Sequence, residues 1–374
     1  MKLFLAPMDA ITHQAFRNLV ARFGGCDEYF NEMINASSLL AGGAWEKFYL
    51  LDGPEPEKLV WQLTDKNGEK MAQAASLLAE RSGIGIDLNM GCSAPQIAKT
   101  GAGIAWMLKP LEETAAMVGA VKSAIENGAK DGRAAKRLSV KLRLGDEKYT
   151  EEKLYSFCAM LIEEGVQMIT LHARTQKQKH SRHSDWQAVE RLALRFPQIP
   201  VILNGDVKDR DSYELAKKAA PHAQGIMIAT AAAQKPWIFR EIVGSSPTMT
   251  GGVSRTETGG SSPTMTDEAD TNCTNSHELG NAGACPAEFI SASQSQLSFD
   301  AQELALRFID DVERFQPPEF WKTRLQRFFA FYCLNFSFGH YFQTSMINAS
   351  DNEDARKRVL EYFEKCPNDR FRKF

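Results

Sequence analysis

Cys92 is the residue whose neighbours most suggest chemistry. It lies just past the apolar run 84–88, in Ile86-Asp87-Leu88-Asn89-Met90-Gly91-Cys92-Ser93, and Gly101-Ala102-Gly103 lies just downstream. A strand ending in a tight glycine turn presents the next side chain at its tip, where a loop on a rigid support can carry function. The competing reading, a small buried hydrophobe, suits Cys26, Cys158 and Cys333, whose surroundings are apolar. At Cys92 the flanking Asn and glycines argue against it. An unperturbed thiol has a pKa of about 8.5, so at neutral pH it is mostly protonated and can serve as a general acid. A nucleophilic or ligating thiolate would need a neighbouring base or cation. The seven cysteines form no CxxC pair and no His-Cys cluster at ligand spacing, so they read as thiols and no metal site is expected.

Other reactive groups also close short apolar runs. They are Pro7-Met8, Glu32, Gln62, Asn89 with Cys92, Lys141 with Arg143, His172 with Arg174, Asn204 with Asp206, and Thr230. The runs themselves, 3–8, 28–33, 59–63, 84–88, 139–144, 168–172, 201–204 and 225–229, are eight in number. Between most of them lie amphipathic stretches such as 69–80, 111–125, 151–164 and 185–196, with apolar residues at three- and four-residue spacing. Runs apolar throughout suit strands covered on both faces, and eight βα units predict a TIM (β/α)8 barrel over residues 1–243. An open doubly wound sheet is the alternative. The barrel is favoured because polar groups gather at the C-terminal strand edges, which in a barrel converge on one rim.

The 374 residues, 43% of them hydrophobic, suffice for two cores. No apolar stretch is long enough for a membrane span and Met1-Lys2 leads straight into a strand-like run, so a cytoplasmic protein free of membrane is expected; a monomer is expected as well. The formal charge of −3 carries no signature of a nucleic-acid binder. Residues 244–298 distort that average, with Arg255 the one base against six acids; the remainder has 43 bases and 41 acids. This segment is rich in Gly, Ser, Thr and Asn and repeats Gly-Ser-Ser-Pro-Thr-Met-Thr at 244–250 and 260–266. It holds too little apolar surface to offset its ordering entropy, which predicts a disordered insertion. Residues 299–374 are helical and aromatic in pattern and predict a small all-α C-terminal domain.

Asn89-Met90-Gly91-Cys92 with a downstream Gly-x-Gly resembles the hallmark of the tRNA-dihydrouridine synthases. The resemblance extends in order through Leu5-Ala6-Pro7-Met8-Asp9-Ala10, Asn31-Glu32-Met33, Gln62, Val140-Lys141-Leu142-Arg143, His172-Ala173-Arg174-Thr175 and Asn204-Gly205-Asp206, covering residues 1 to about 242. It implies FMN across the barrel mouth, reduced by NADPH or NADH, with hydride passing from flavin N5 to C6 of a tRNA uridine. Cys92 matches the family's proton donor to C5. Lys141 would place positive charge at the N1/O2 edge of the flavin, and Gln62 offers both an amide donor and an acceptor to its pyrimidine edge. Ala6, Pro7, Met8 and His172 would contact the cofactor, and Asn204, Gly205, Asp206, Ala229 and Thr230 would cradle its phosphate. Asn89, Arg143 and Arg174 are the substrate-side candidates, although salt-bridged rim residues would look the same as the two arginines.

The chain departs from its relatives in three places. Ala229-Thr230-Ala231 stands where Gly-Arg-Gly is common, so the phosphate loses an arginine partner; Ser93 replaces a proline, and His180 replaces a tyrosine. In the C-terminal region Lys322, Arg324 and Arg327 interleave with Trp321, Phe328 and Phe329, which suits RNA contact and an ordinary amphipathic helix equally well. Two other functions stay open. One is an FMN barrel oxidoreductase for a small molecule of dihydroorotate or enone type, which has little need for a helical domain; the other is a flavin- or RNA-binding barrel without turnover.

Overall fold

The computed structural model describes residues 1–129, 134–178, 182–244, 291–293 and 296–373. Strands Lys2–Leu5 (β1), Glu28–Phe30 (β2), Ile34–Asn35 (β3), Leu59–Thr64 (β4), Gly85–Met90 (β5), Arg137–Arg143 (β6), Met168–His172 (β7), Val201–Asn204 (β8) and Gly225–Ile228 (β9) pair in parallel. β1 pairs with both β2 and β9, and β2 pairs with β4, so the sheet closes into the expected barrel. One element differs from expectation. The apolar run 28–33 is not one strand: β2 and β3 form a single stave interrupted at residues 31–33, which frees Glu32 from the strand ladder.

Alternation along the strands sorts the side chains. Residues such as Leu3, Leu5, Ile86, Leu88, Val140, Leu142, Ile169 and Leu171 face the surrounding helices, while Phe4, Phe30, Val60, Met168, Ile202 and Met227 form a separate plug inside the barrel. In phase with the plug, further along the same strands, come the polar side chains Gln62, Asp87, Asn89, Ser139, Lys141, Thr170, His172 and Asn204. The strand register sets Gln62 beside Asp87, Asn89 beside Lys141, Lys141 beside Thr170, and His172 beside Asn204. The barrel is therefore apolar below and polar at its mouth.

The outer helices include Gly68–Ala79, Leu111–Asn127, Glu151–Glu163 and Trp186–Arg195, close to the periodic stretches. Asn67, Thr150, Asp185 and Asp209 cap helix N-termini with side-chain oxygens, each contributing about 1 kcal/mol.

The C-terminal region contains helices Ala301–Phe315, Pro318–Tyr332, Gly339–Ile347 and Asn352–Lys365. It is not purely helical: Ser291–Ser293 (β10), Gln296–Asp300 (β11) and Phe371–Lys373 (β12) form an antiparallel sheet. The predicted insertion at 244–298 lies almost wholly outside the described residues, apart from Gly244 and the strand residues, and β11 already begins inside its expected limit. His180 is outside them too. The helical region packs on the barrel through aromatic contacts, Trp237 to Phe299 at 4.5 Å, Phe23 to Phe299 at 5.2 Å and Phe16 to Phe328 at 6.2 Å between ring centroids. Among the described residues, no helix is long and apolar enough to cross a membrane, and no cluster of three His, Cys, Asp or Glu could hold a metal.

Candidate active site

Cys92 lies just beyond the tip of β5, half-buried, whereas Cys26, Cys158 and Cys333 are buried. Its loop is held from three sides. Asn89 Oδ1 accepts from the Cys92 amide at 2.9 Å and from the Gly91 amide at 3.3 Å. Arg143 Nε donates to the Gly91 carbonyl at 2.8 Å, and the Ile104 amide donates to the Cys92 carbonyl at 3.0 Å. Gly103 explains the downstream Gly-x-Gly: its φ is 60°, and a Cβ there would lie 2.6 Å from the Cys92 carbonyl oxygen. Only glycine permits this approach.

Beneath the loop runs a chain of buried amides and a carboxylate. Asn89 Nδ2 donates to Gln62 Oε1 at 2.9 Å, Gln62 Nε2 to Asp87 Oδ2 at 2.8 Å, and Ser139 Oγ to Asp87 Oδ1 at 2.7 Å. Burial pushes the Asp87 carboxyl up to about 6, against the pull of Gln62, Ser139 and Lys141. Lys141 stands next to this chain, and among the described residues its ammonium has no hydrogen bond and no ion pair. Burial and the like charge of Arg143 lower it to about 8, while Asp87 and Cys92 act in the opposite sense. An unpaired, partly desolvated cation at a barrel mouth is costly unless something anionic or electron-rich occupies the space beside it.

On the β7–β9 side the rim opens into a cleft of about 350 Å³, lined by His172, Arg174, His183, Asn204, Gly205, Asp206, Val207, Lys208, Met227, Ala229, Thr230, Ala231 and Gln234. Its floor is braced: Asn204 Nδ2 donates to the Met227 carbonyl at 2.8 Å, Trp186 Nε1 to the Gly205 carbonyl at 2.9 Å, and the Ser184 amide to Asp206 Oδ2 at 2.6 Å. Gly205 is required here, since its φ is 123° and a Cβ would collide with Ser184 Oγ. Helix Thr230–Gln234 begins at the cleft wall, where the first amides of a helix lack intrahelical acceptors.

A strand-tip cysteine, a lone lysine and an adjoining cleft on one barrel mouth can be compared with known proteins. The sequence profile of the dihydrouridine synthase (Dus) family matches residues 4–254. The chain belongs to the dihydrouridine synthase family. A probable tRNA-dihydrouridine synthase of Aquifex aeolicus is 34% identical over 244 residues, covering 64% of this chain and 72% of that protein. tRNA-dihydrouridine synthase B of Pseudomonas syringae is 28% identical over 242 residues, with 64% and 67% covered. The mouse tRNA-dihydrouridine(47) synthase [NAD(P)(+)]-like protein is 30% identical over 246 residues, 64% of this chain but 36% of its own length.

For a member of the dihydrouridine synthase family, the sequence-predicted residues fall into two neighbouring groups. Gln62, Asn89, Cys92, Lys141 and Arg143 sit together on β4–β6. His172, Asn204, Gly205, Asp206, Ala229 and Thr230 line the cleft, and Ala6-Pro7-Met8 follows β1, which pairs with β9. Three side chains are engaged differently from expectation. Asn89, expected at the substrate base, commits its amide to Gln62 and the cysteine turn. Arg143 braces that turn and also reaches the Thr175 carbonyl. Arg174 is buried, with donors directed to Asp206 and the Arg182 carbonyl and a contact to His172 Nε2, so it supports the cleft floor.

In the helical region Phe328 and Phe329 are core, as an amphipathic helix requires, but Arg324 fits neither that reading nor RNA contact, because it is buried against Glu32 instead of facing outward. Sequence reading missed Asp87, Ser139 and Lys208. The first two were within reach, because they lie at even spacing from Asn89 and Lys141 and must share their inward face.

Proposed function

We propose that this chain reduces uridine in tRNA to 5,6-dihydrouridine, using FMN at the barrel mouth and NADPH or NADH as reductant, with Cys92 as the proton donor. The observation that carries the reading is a half-buried thiol just beyond the tip of β5 together with a lysine on the adjacent strand β6 whose ammonium has no hydrogen bond or ion pair among the described residues.

The residues present fit a flavin. Lys141 would offer its charge to the N1/O2 edge of the ring, and beyond the Asp87 and Asn89 bonds Gln62 retains one amide hydrogen and one carbonyl lone pair. Ala6, Pro7, Met8 and His172 border the same mouth, and Asn204, Gly205, Asp206, Ala229 and Thr230 line a cleft whose backbone suits a phosphate. A flavin held by these residues would supply the hydride for C6 of the uracil ring, with the nicotinamide nucleotide as its reductant.

The chain's own residues then do the rest. Asn89, Arg143 and Gly103 hold the Cys92 loop at the tip of β5, and from there the thiol would give its proton to C5. Exposed aromatics on the helical region, Phe338, Tyr341 and Phe371, are available for stacking on bases, whereas Phe328 and Phe329 are not. The turn that precedes Phe338 meets the edge of the cleft, where Asn335 Nδ2 donates to the Gln234 carbonyl at 2.7 Å. A tRNA substrate, and cysteines that are unpaired among the described residues, fit a cytoplasmic setting.

The test is incubation of the FMN-loaded protein with NADPH and unmodified tRNA, followed by mass spectrometry. A uridine gaining two hydrogens at a defined position is the expected result. No gain in any tRNA, with flavin bound and reducible, would overturn the assignment.

A further inference from the structure

We infer that Lys208 is the cation that receives the phosphate of bound FMN, in the role that Ala229-Thr230 leaves unfilled; the inference rests on the flavin reading proposed above. Of the positively charged side chains lining the cleft, Arg174 is committed to Asp206 and the Arg182 carbonyl. Lys208 is exposed, and among the described residues its ammonium has no hydrogen bond or ion pair. Its main chain is nevertheless fixed. The Lys208 amide donates to Ser212 Oγ at 2.9 Å, inside the capping box that starts helix Arg210–Ala219. The neighbouring Asp209 feels this charge without hydrogen-bonding it: its Oδ1 accepts from both the amide and the hydroxyl of Ser212, and those bonds come before the charge of Lys208 in holding its carboxyl below the ordinary range.

The cleft is otherwise suited to an anion. The one carboxylate in its lining, Asp206, is neutralised by Arg174 and accepts the Ser184 amide. Thr230 lines the same cleft, and Ala229 and Ala231 beside it bring no cation. The positive charge that faces the phosphate thus comes from the loop after β8, not from the helix after β9. A flexible lysine provides a point charge in place of a fixed guanidinium fork.

The experiment compares equilibrium binding of FMN and riboflavin to flavin-free protein, without nucleotide or RNA, by fluorescence quenching. The wild-type chain is expected to prefer FMN. K208A should weaken FMN about tenfold, as for one charge-assisted contact, leave riboflavin unchanged and retain the wild-type melting temperature, while K208R should keep most of the preference. An unchanged FMN-to-riboflavin ratio in K208A overturns the inference alone, including the case where that variant impairs use of NADPH or tRNA. Failure of the wild-type chain to bind either flavin overturns the flavin reading and the inference with it.

Discussion

Arg324 and Glu32, 292 residues apart in sequence, meet in a doubly bonded ion pair, Nη1 to Oε2 at 2.8 Å and Nη2 to Oε1 at 2.9 Å. Both side chains are buried, Glu32 Oε2 also accepts the Ala10 amide at 2.9 Å, and the guanidinium lies 5.1 Å from the Phe320 ring centroid. The pair joins the helical region to the break in the second stave, beside the loop that follows β1. Burial outweighs the arginine's charge and holds the Glu32 carboxyl above its ordinary range.

Removing one partner leaves a buried charge alone, so R324M should lower stability by about 3–5 kcal/mol. E32Q in the same background should restore much of it, since glutamine still accepts from Ala10 and no charge is stranded. Urea unfolding of the two variants measures this, and an R324M midpoint equal to that of the parent would refute the clamp.

Replacing Cys92 with Ala should leave flavin binding and reduction by NADPH intact while slowing dihydrouridine formation by about 10²-fold or more, the usual contribution of a general acid. Single-turnover kinetics with tRNA provides the measurement. Undiminished turnover would mean that the proton comes from another group.

Gly103→Ala tests the loop without touching the thiol. Its Cβ would lie 2.6 Å from the Cys92 carbonyl oxygen at a φ of 60°, so the loop must shift. A displacement of the reacting atom near 1 Å costs about 10²-fold in rate. Flavin affinity should not change, and equal losses in affinity and rate would place Gly103 in the cofactor site instead.

Lys141 titrates near 8, so its charge is present at neutral pH and is lost above that. Flavin affinity should fall as pH rises through about 8, and in K141M this dependence should vanish. The folded value lies below the unfolded one of about 10.4, so the folded chain releases this proton first. Its burial cost is present in full below about pH 8 and fades as pH approaches the unfolded value. Flavin-free K141M should therefore melt higher than the wild type at pH 7 and equally at pH 11.

F338A/Y341A should weaken tRNA binding at least fivefold, given about 1–3 kcal/mol for each stacked base. Both side chains are more than half exposed, so melting should barely change. Filter binding decides it, and unaltered affinity would exclude this face as the platform.

The βα repeat, the strand-tip positions of Gln62, Asn89, Lys141, His172 and Asn204, and the unusual setting of Cys92 were all legible, because period-2 and helical spacing act through neighbours in sequence. The long helices around the barrel were legible for the same reason. The short strands β10, β11 and β12 were not, since pairing between 296–300 and 371–373 leaves no local apolar pattern.

The sequence by itself determined which side chains point into the barrel mouth, since alternation along a parallel strand depends only on residue order. Tertiary structure alone decided how those side chains are used. Asn89 and Arg143 became braces, Arg174 went to Asp206 and Arg324 to Glu32, while Lys141 and Lys208 stayed unpaired among the described residues. Whether a charged group meets a partner depends on contacts between strands and helices far apart in the chain, and the energy of a charge is set by that partner and by the water around it.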